Sequence, residues 1–219
     1  MAGDENRDSV WREYDLSFRE DAHQLLAWGY LDARHLITPR REETEVTGFI
    51  AEAIQLKLSS AEIDERFDRY SLQEDNPVSG EERTGKRRVR IDITIESSFR
   101  PRDKSRPQYI FEAKRLCRPN QTLGDYLGDE GILRFLQGRY AAHCPEVAMV
   151  GYVQTNTADY WATTLEVRLD SNSNNQFYLT EKLSPIEVIA HLPDEWVSKH
   201  LRESQMPISI FHIFLDCCT

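Results

Sequence analysis

Two segments show the clearest strand pattern in the chain: residues 88–96, RVRIDITIE, and residues 108–116, QYIFEAKRL. In both, apolar residues alternate with polar or charged ones, which is the period-two pattern of a β-strand with one buried face. The connection between them is basic and contains prolines, so a β-hairpin is the simplest interpretation. On the polar face of such a hairpin, Asp92 lies on the first strand, and Glu112 and Lys114 lie together on the second.

Two carboxylates and an amine on one face indicate a particular chemistry. Carboxylate oxygens are ligands that Mg²⁺ prefers, beside water and substrate phosphate oxygens. A neighbouring lysine can orient an attacking water or stabilise charge on a phosphoryl group. Asp92, Glu112 and Lys114 are therefore suited to hydrolysing a phosphodiester bond. The alternative is a solvated strand face, on which cross-strand ion pairs contribute only roughly a few tenths of a kcal/mol each.

The order of these residues resembles the PD-(D/E)XK nucleases, a family with the restriction-endonuclease-like fold. The similarity spans about residues 39–154. It consists of Ile91-Asp92, the strand FEAK at 111–114, an acidic helix before them, and a helix and a strand after them. Ile91 stands where the family's motif nominally has proline.

The resemblance implies a role for each residue of the motif. Asp92 and Glu112 would bind the metal ion, Mg²⁺ or Mn²⁺, and Ala113 would lend its backbone carbonyl. Lys114 would position or activate the attacking water.

The family often adds a glutamate from the first core helix. Glu42, Glu43 and Glu45 are all candidates here. We favour Glu43, because apolar residues follow it three, seven and eleven positions on and share its side of the helix.

Charge is distributed unevenly along the chain. The sequence has 27 Lys and Arg against 37 Asp and Glu, a formal net charge of −10, which alone argues against nucleic-acid binding. Residues 83–118, however, hold twelve Lys or Arg against four acidic residues. A run of this kind is also typical of a solvated, salt-bridged face. We expect the following basic residues to bind the phosphates of a DNA backbone: Arg87, Arg88, Arg90, Arg100, Arg102 and Lys104.

The length of 219 residues and the 40% hydrophobic content predict one globular domain, residues 1–219. Within it we expect an N-terminal helical cover at 1–38, a catalytic core at 39–154 and a C-terminal extension of the sheet at 155–219. The predicted fold class is α/β (α+β), a restriction-endonuclease-like central mixed sheet flanked by helices, with an extra N-terminal helix and a C-terminal strand.

Local patterns predict individual elements. Thr38 followed by Pro39 predicts the start of a helix, Ser184 predicts a cap on a short helix, and residues 73–85 are typical of a loop. Periodicity predicts helices at about 16–37, 39–58 and 130–142, and strands at 147–153 and 207–215.

Other chemistries lack their motifs in this sequence. Neither G-x-x-x-x-G-K-[ST] nor G-x-G-x-x-G occurs, and the six histidines show no zinc spacing with cysteine. Arg134 and Gln137 are accessory candidates that would face a phosphate or the active site; they lie one turn apart on the predicted helix after the strand with the E-x-K motif, Glu112-Ala113-Lys114. The alternative is that Arg134 is an ordinary surface arginine, which is the more common situation in proteins.

We expect a metal-dependent endonuclease acting on DNA, in prokaryotic defence against foreign DNA or in DNA processing. RNA stays open as a substrate, and a homodimer or a protein partner would add contact area. The alternative is a non-catalytic module of the same fold that binds nucleic acid or a protein partner in a larger complex. The polar N-terminus, the scattered cysteines and the lack of an apolar run of about 18–20 residues lead us to expect a cytoplasmic protein without membrane contact.

Overall fold

The computed structural model of the chain describes residues 2–77, 90–99, 106–171, 176–192 and 194–218. These residues form a mixed α/β structure in which helices flank a seven-stranded sheet. The strands are β1 (Tyr70–Pro77), β2 (Arg90–Ser97), β3 (Gln108–Leu116), β4 (Glu146–Val153), β5 (Leu179–Pro185), β6 (Glu195–Leu201) and β7 (Pro207–Asp216). The helices are α1 (Ala2–Ala33), α2 (Glu43–Leu58), α3 (Pro119–Leu127), α4 (Ile132–Leu136) and α5 (Ala158–Asp170), with short 3₁₀ helices at Arg34–Leu36 and Glu65–Arg69.

The sheet is parallel at its centre and antiparallel towards both edges. Its order is β1-β2-β3-β4-β7-β6-β5, in which β3, β4 and β7 are parallel and the other neighbouring pairs antiparallel. Every residue of β4 after Glu146 is buried, as expected for a central strand covered on both faces. The mixed sheet flanked by helices is confirmed, as are the antiparallel pair β2–β3 and the strands predicted at 147–153 and 207–215.

The helices bury the two faces of the sheet in separate apolar clusters. α1 and α2 pack over one face, where Ile93 and Phe111 lie. α3, α4 and α5 pack over the other face, where Ile110 and Leu116 lie. Neighbouring residues of β3 therefore point into different layers.

The first helix is longer than the predicted span of 16–37. It runs without a break from Ala2 to Ala33. Gly29 lies inside it because α1 crosses α2 closely there, and a Cβ at this position would come within 2.5 Å of Ile54 Cγ1. Although α1 has 32 residues, neither it nor another helix in the described ranges is apolar over a stretch long enough to cross a bilayer.

The prediction that Thr38 begins the second helix is wrong. The Arg41 N–H donates to the Thr38 carbonyl at 3.1 Å, which closes a turn around the following proline. α2 begins instead at Glu43. The carboxylate of Glu45 accepts from the backbone N–H of Glu42 at 2.9 Å, so a glutamate satisfies one of the free N–H groups at this end.

Two edge strands also differ from their predictions. The loop expected from Gln73 is wrong as far as Pro77, because Gln73 pairs with Thr94 in the ladder of β1 and β2; the rest of that loop lies outside the described residues. The short helix expected after Ser184 is wrong too, because Ser184 lies in β5 opposite Val197. At Gln73, pairing with β2 outweighs a polar local sequence. Residues 186–192, which would complete the expected helix, form coil, bends and turns.

The helix predicted at 130–142 is much shorter in the structure. α4 covers only Ile132–Leu136. Gly138, with a φ of +70°, lies in the left-handed region and cannot continue a helix. α3 and α5 have no counterpart in the sequence-based predictions.

Buried polar side chains of α3, β6 and β7 form a connected series of hydrogen bonds. Tyr126 Oη lies 2.9 Å from His212 Nδ1, and Ser198 Oγ lies 2.8 Å from His212 Nε2 and 2.7 Å from His200 Nε2. His200 Nδ1 lies 2.7 Å from the carbonyl oxygen of Phe177. Burial lowers the pKa of His212 to about 3, with a contribution from His200, and lowers the pKa of His200 to about 4. Both imidazoles are therefore neutral at neutral pH.

Acid is expected to destabilise the fold through these two histidines. Their folded-state pKa values lie below the ordinary value of 6.5, so the unfolded chain binds more protons between about pH 4 and 6.5. The free energy of unfolding falls as the pH drops through that window, by at most roughly 1.4 kcal/mol per pH unit for each histidine. Compared with wild type, His212→Gln should be less stable near pH 7 but should lose less stability towards pH 4. Denaturant unfolding across this range measures both, and parallel curves for the two proteins would contradict the expectation.

Candidate active site

β2 and β3 separate at the predicted site. Their antiparallel pairing ends where Ile93 lies opposite Phe111. Just beyond this pair, Oδ2 of Asp92 accepts a hydrogen bond from the backbone N–H of Ala113 at 2.7 Å. The Asp92 side chain thus replaces a strand partner, which fixes its carboxylate against β3.

Glu112 and Lys114 lie on the part of β3 that pairs with β4. Their side of the strand also carries Ile110 and Leu116, which pack in the layer of α3 and α4. Glu112 is 2% exposed and Lys114 8%. The alternative interpretation as a solvated ion-pair ladder is therefore wrong for these two residues.

The ammonium group of Lys114 lies at the centre of the cluster. Its Nζ donates to Oε1 of Glu112 at 3.0 Å, to the carbonyl oxygen of Ala113 at 2.7 Å and to Oε1 of Glu43 at 3.2 Å. These three acceptors use all three N–H groups of the ammonium. Lys114 therefore ties β3 to the start of α2.

Of the three candidate glutamates in α2 and its cap, Glu43 reaches the cluster. Its Oε2 accepts from the backbone N–H of Arg115 at 3.0 Å, and its side chain is 29% exposed. Glu42 instead forms an ion pair with the Arg115 guanidinium at 2.8 Å, and Glu45 forms one with Arg41 at 2.8 Å. The choice of Glu43 from helical spacing agrees with this placement.

Two hydrogen bonds that sequence reasoning missed position α2 over the cluster. Thr47 Oγ1, one turn after Glu43, lies 2.9 Å from the hydroxyl of Tyr152 on β4. Gln154, just after β4, donates from Nε2 to the carbonyl oxygen of Arg41 at 2.7 Å. These contacts join segments more than 100 residues apart, so no local pattern could have indicated them.

Crowding of the carboxylates shifts their protonation. Burial, followed by repulsion from Asp92, raises the pKa of Glu112 to about 8 against the opposing effect of Lys114. Burial raises the pKa of Asp92 as well, opposed by Lys114 and by the hydrogen bond from Ala113. Burial acts to lower the pKa of Lys114, but the carboxylates of Glu112, Glu43 and Asp92 outweigh it and raise that pKa. The lysine is therefore an ammonium in a cluster with surplus carboxylate.

The donor set partly suits a hard divalent cation. Glu112 Oε2 is buried and hydrogen-bonds to none of the described residues, which is unfavourable for a carboxylate oxygen unless a ligand contacts it. Asp92 supplies a second carboxylate, and such oxygens are what Mg²⁺ takes. However, among the described residues no group of three or more His, Cys, Asp or Glu side chains is arranged to hold a metal ion. The Ala113 carbonyl, the third expected ligand, already accepts from Lys114.

The two accessory candidates lie on α4 and at its end. Arg134 belongs to α4, which packs in the layer covering this side of β3, and its charge acts to lower the pKa of Asp92 and of Glu112. Gln137 ends the helix with its Oε1 buried and without a hydrogen-bond partner in the described part of the chain. Tyr140, which sequence reasoning missed, is fully buried and its hydroxyl accepts a hydrogen bond from Arg134.

The basic residues expected to grip DNA are mostly not covered by the structure. Arg87, Arg88, Arg100, Arg102 and Lys104 lie outside the described residues. Arg90 is the first residue of β2, and its side chain is not among those described.

Comparisons with known proteins return no relative of this chain. No protein-family model, no curated protein and no solved structure matches it. A functional interpretation therefore depends on the geometry and chemistry of the cluster around Lys114.

Proposed function

We propose that the chain is a Mg²⁺- or Mn²⁺-dependent endonuclease that hydrolyses phosphodiester bonds of DNA. The observation that carries the proposal is Oε2 of Glu112, a buried carboxylate oxygen without a partner among the described residues, in a cluster that also contains Asp92 and Glu43. When all three carboxyl groups are ionised, they leave negative charge beside one ammonium, and a divalent cation would neutralise that charge and favour the ionised form of Glu112. The order of α2, β2, β3 and β4 along the chain supports membership of the PD-(D/E)XK nucleases and a restriction-endonuclease-like sheet.

Each residue of the cluster has a role in this proposal. Asp92 and Glu112 would hold the cation, together with the Ala113 carbonyl, which accepts a hydrogen bond from Lys114 in this structure. When bound, such a cation polarises a phosphoryl oxygen and lowers the pKa of a coordinated water. Glu43 holds Lys114 beside Glu112, where the ammonium offers positive charge to a phosphate or to the attacking water.

DNA is proposed as the substrate because of the charge of the sequence around the site. Residues 83–118, which include both predicted metal ligands, carry twelve basic and four acidic residues in a chain of net charge −10. Phosphate contacts from such residues give an affinity that falls as salt rises. The acidic remainder would repel DNA, so a homodimer or a protein partner would supply further contact area. The proposed role is prokaryotic defence against foreign DNA or DNA processing.

Two observations favour a second function, a non-catalytic module that binds nucleic acid or a protein partner. In the described ranges no group of three or more metal-ligating side chains is arranged around a cation position. The ammonium of Lys114 also makes three hydrogen bonds within the cluster, so it neutralises part of the negative charge without a metal ion. Such a module would keep the basic residues and need no metal.

Substitutions at Asp92 and Lys114 test the hydrolase directly. We expect purified wild type to cut plasmid DNA in Mg²⁺ and to stop in EDTA. Asp92→Asn and Lys114→Met should each lower the rate at least about 100-fold, because loss of one charged group acting on the transition state costs roughly 2.7 kcal/mol or more. Asp125→Asn, at an exposed position on α3, is the matched control. Full cleavage by a folded Asp92→Asn protein, checked by circular dichroism, would remove the proposal; parallel assays on RNA decide the substrate.

Calorimetric titration with Mn²⁺ or Mg²⁺ separates the enzyme from the non-catalytic module. Wild type should give a saturable heat and a higher melting temperature in the metal, because a ligand that binds only the folded state stabilises it. Glu112→Gln should lose both effects. Glu52→Gln, at an exposed position of α2, should keep them. The absence of a saturable heat with wild type would favour the binding module.

A further inference from the structure

Lys114, the basic residue of the E-x-K element, has no N–H group to spare for a substrate in this arrangement. Its three donors are taken by Glu112, Glu43 and the Ala113 carbonyl. A protein contact to the oxygens of a phosphodiester in the cluster would therefore have to come from another side chain. Arg134 lies on α4, which packs in the layer that covers the Glu112 and Lys114 side of β3. Its charge also acts on both Asp92 and Glu112.

Arg134 is held by two hydrogen bonds and an aromatic ring. Its Nε donates to the carbonyl oxygen of Asp129 at 2.6 Å, and its Nη1 donates to the hydroxyl of Tyr140. The guanidinium carbon lies 5.0 Å from the centroid of the Tyr140 ring. The Arg134 side chain is nevertheless 17% exposed. These contacts therefore fix the orientation of the guanidinium, while part of the group stays accessible to solvent.

The turn that presents the Asp129 carbonyl is closely packed. A Cβ on Gly131 would come within 2.0 Å of the Tyr126 carbonyl oxygen, so only glycine fits where α4 begins. Tyr140 is fully buried against Phe135, with its ring 5.7 Å from that of Phe135. Arg134 therefore has a preorganised position, which lowers the conformational entropy lost when it binds a ligand.

Most of the donor capacity of Arg134 is unused within the described part of the chain. A guanidinium has five N–H groups, and the bonds to Asp129 and Tyr140 account for two. Its remaining ion pair is with Glu130, whose carboxylate lies 3.8 Å from Nη2 on a side chain that is 75% exposed. The terminal N–H groups are thus available to contact two oxygens of one phosphate, as guanidinium groups commonly do.

The formal charges of the cluster also fit the binding of one phosphodiester group together with one divalent cation. Glu43, Asp92 and Glu112 carry three negative charges when ionised, and Lys114 and Arg134 carry two positive charges. One divalent cation changes the balance from −1 to +1. One phosphodiester phosphate, with its single negative charge, then neutralises the site.

We propose that Arg134 contacts the non-bridging oxygens of the phosphodiester that enters the cluster, and that Tyr140 is the positioning residue that orients it. This inference rests on the proposed function, because the phosphate it names is the one to be hydrolysed. The contact to the phosphate that is hydrolysed is thereby assigned to Arg134 on α4. The basic residues at 87–104 would contact phosphates of the DNA on either side of it.

The test compares Arg134→Gln, Arg134→Lys and Tyr140→Phe with Arg139→Gln as the matched control. Arg139 is an exposed arginine in the same segment, so its loss removes the same charge without touching the site. Binding of a short DNA duplex is measured over a range of salt in Ca²⁺, under conditions in which the duplex stays intact, and cleavage is measured in Mg²⁺. Melting temperatures show whether each variant folds.

The expected results separate a phosphate contact from a structural role. Arg134→Gln should bind the duplex at least about tenfold more weakly and should reduce the slope of log affinity against log salt by about 0.9, the value of one phosphate contact. Its cleavage rate should fall at least about 100-fold. Arg134→Lys, which keeps the charge and serves if Arg134→Gln does not fold, should restore the salt slope but not the cleavage rate, because an ammonium cannot make the two-oxygen contact. Tyr140→Phe should give an intermediate loss of cleavage.

The inference and the proposed function can fail separately. If wild type cleaves DNA and Arg134→Gln matches Arg139→Gln in slope and rate, the phosphate contact is wrong and the hydrolase stands. If wild type does not cleave but Arg134→Gln still loses slope, Arg134 binds phosphate in a non-catalytic module. If wild type neither binds nor cleaves DNA, both proposals are wrong.

Discussion

The buried ammonium of Lys114 is the interaction on which the candidate site depends. It lies between the carboxylates of Glu112 and Glu43 and accounts for their closeness in a region where Glu112 is only 2% exposed. Removing one partner of such a buried group leaves an uncompensated charge, which costs roughly 3–5 kcal/mol. Because Glu43 also accepts from the backbone of Arg115, the same ammonium helps to set the position of α2 on the sheet. The contact between Lys114 and Glu43 therefore both positions charged groups of the site and holds α2 on the sheet.

β2 and β3 separate at Asp92, beyond the Ile93–Phe111 pair, and the site at this opening draws on both helix layers. Glu43 comes from α2, which packs on one face of the sheet, and Arg134 comes from α4, which packs on the other. Asp92 stands at the opening and bonds to the Ala113 N–H, which holds the edge of the opening in place. A continuous ladder between these strands would instead pair that N–H with a backbone carbonyl, and Asp92 would be one more residue on a strand face.

Residues with a local periodic signal could be placed from the sequence, and residues held by distant contacts could not. The alternation around Asp92, and the two-residue spacing of Glu112 and Lys114, predict a shared face, and helical spacing favours Glu43 over its neighbours. The burial of Glu112 and Lys114 was not predictable, because a polar strand face ordinarily indicates water. β1 was missed because its polar sequence forms a strand only through pairing with β2. The contacts of Thr47 with Tyr152 and of Arg134 with Tyr140 depend on tertiary packing and leave no pattern in composition or spacing.

The cluster is hard to explain as a device for stability alone. Replacing a buried ion pair with apolar residues of similar volume is often neutral or stabilising by roughly 1–4 kcal/mol, so buried charges are a poor way to strengthen a core. Oε2 of Glu112 adds to the cost, since a buried polar atom without a partner is unfavourable by roughly 1–3 kcal/mol. The apolar clusters on both faces of the sheet are large enough to tolerate that cost. The proposed cation site would give the unpartnered Oε2 of Glu112 a role that the stability of the core does not.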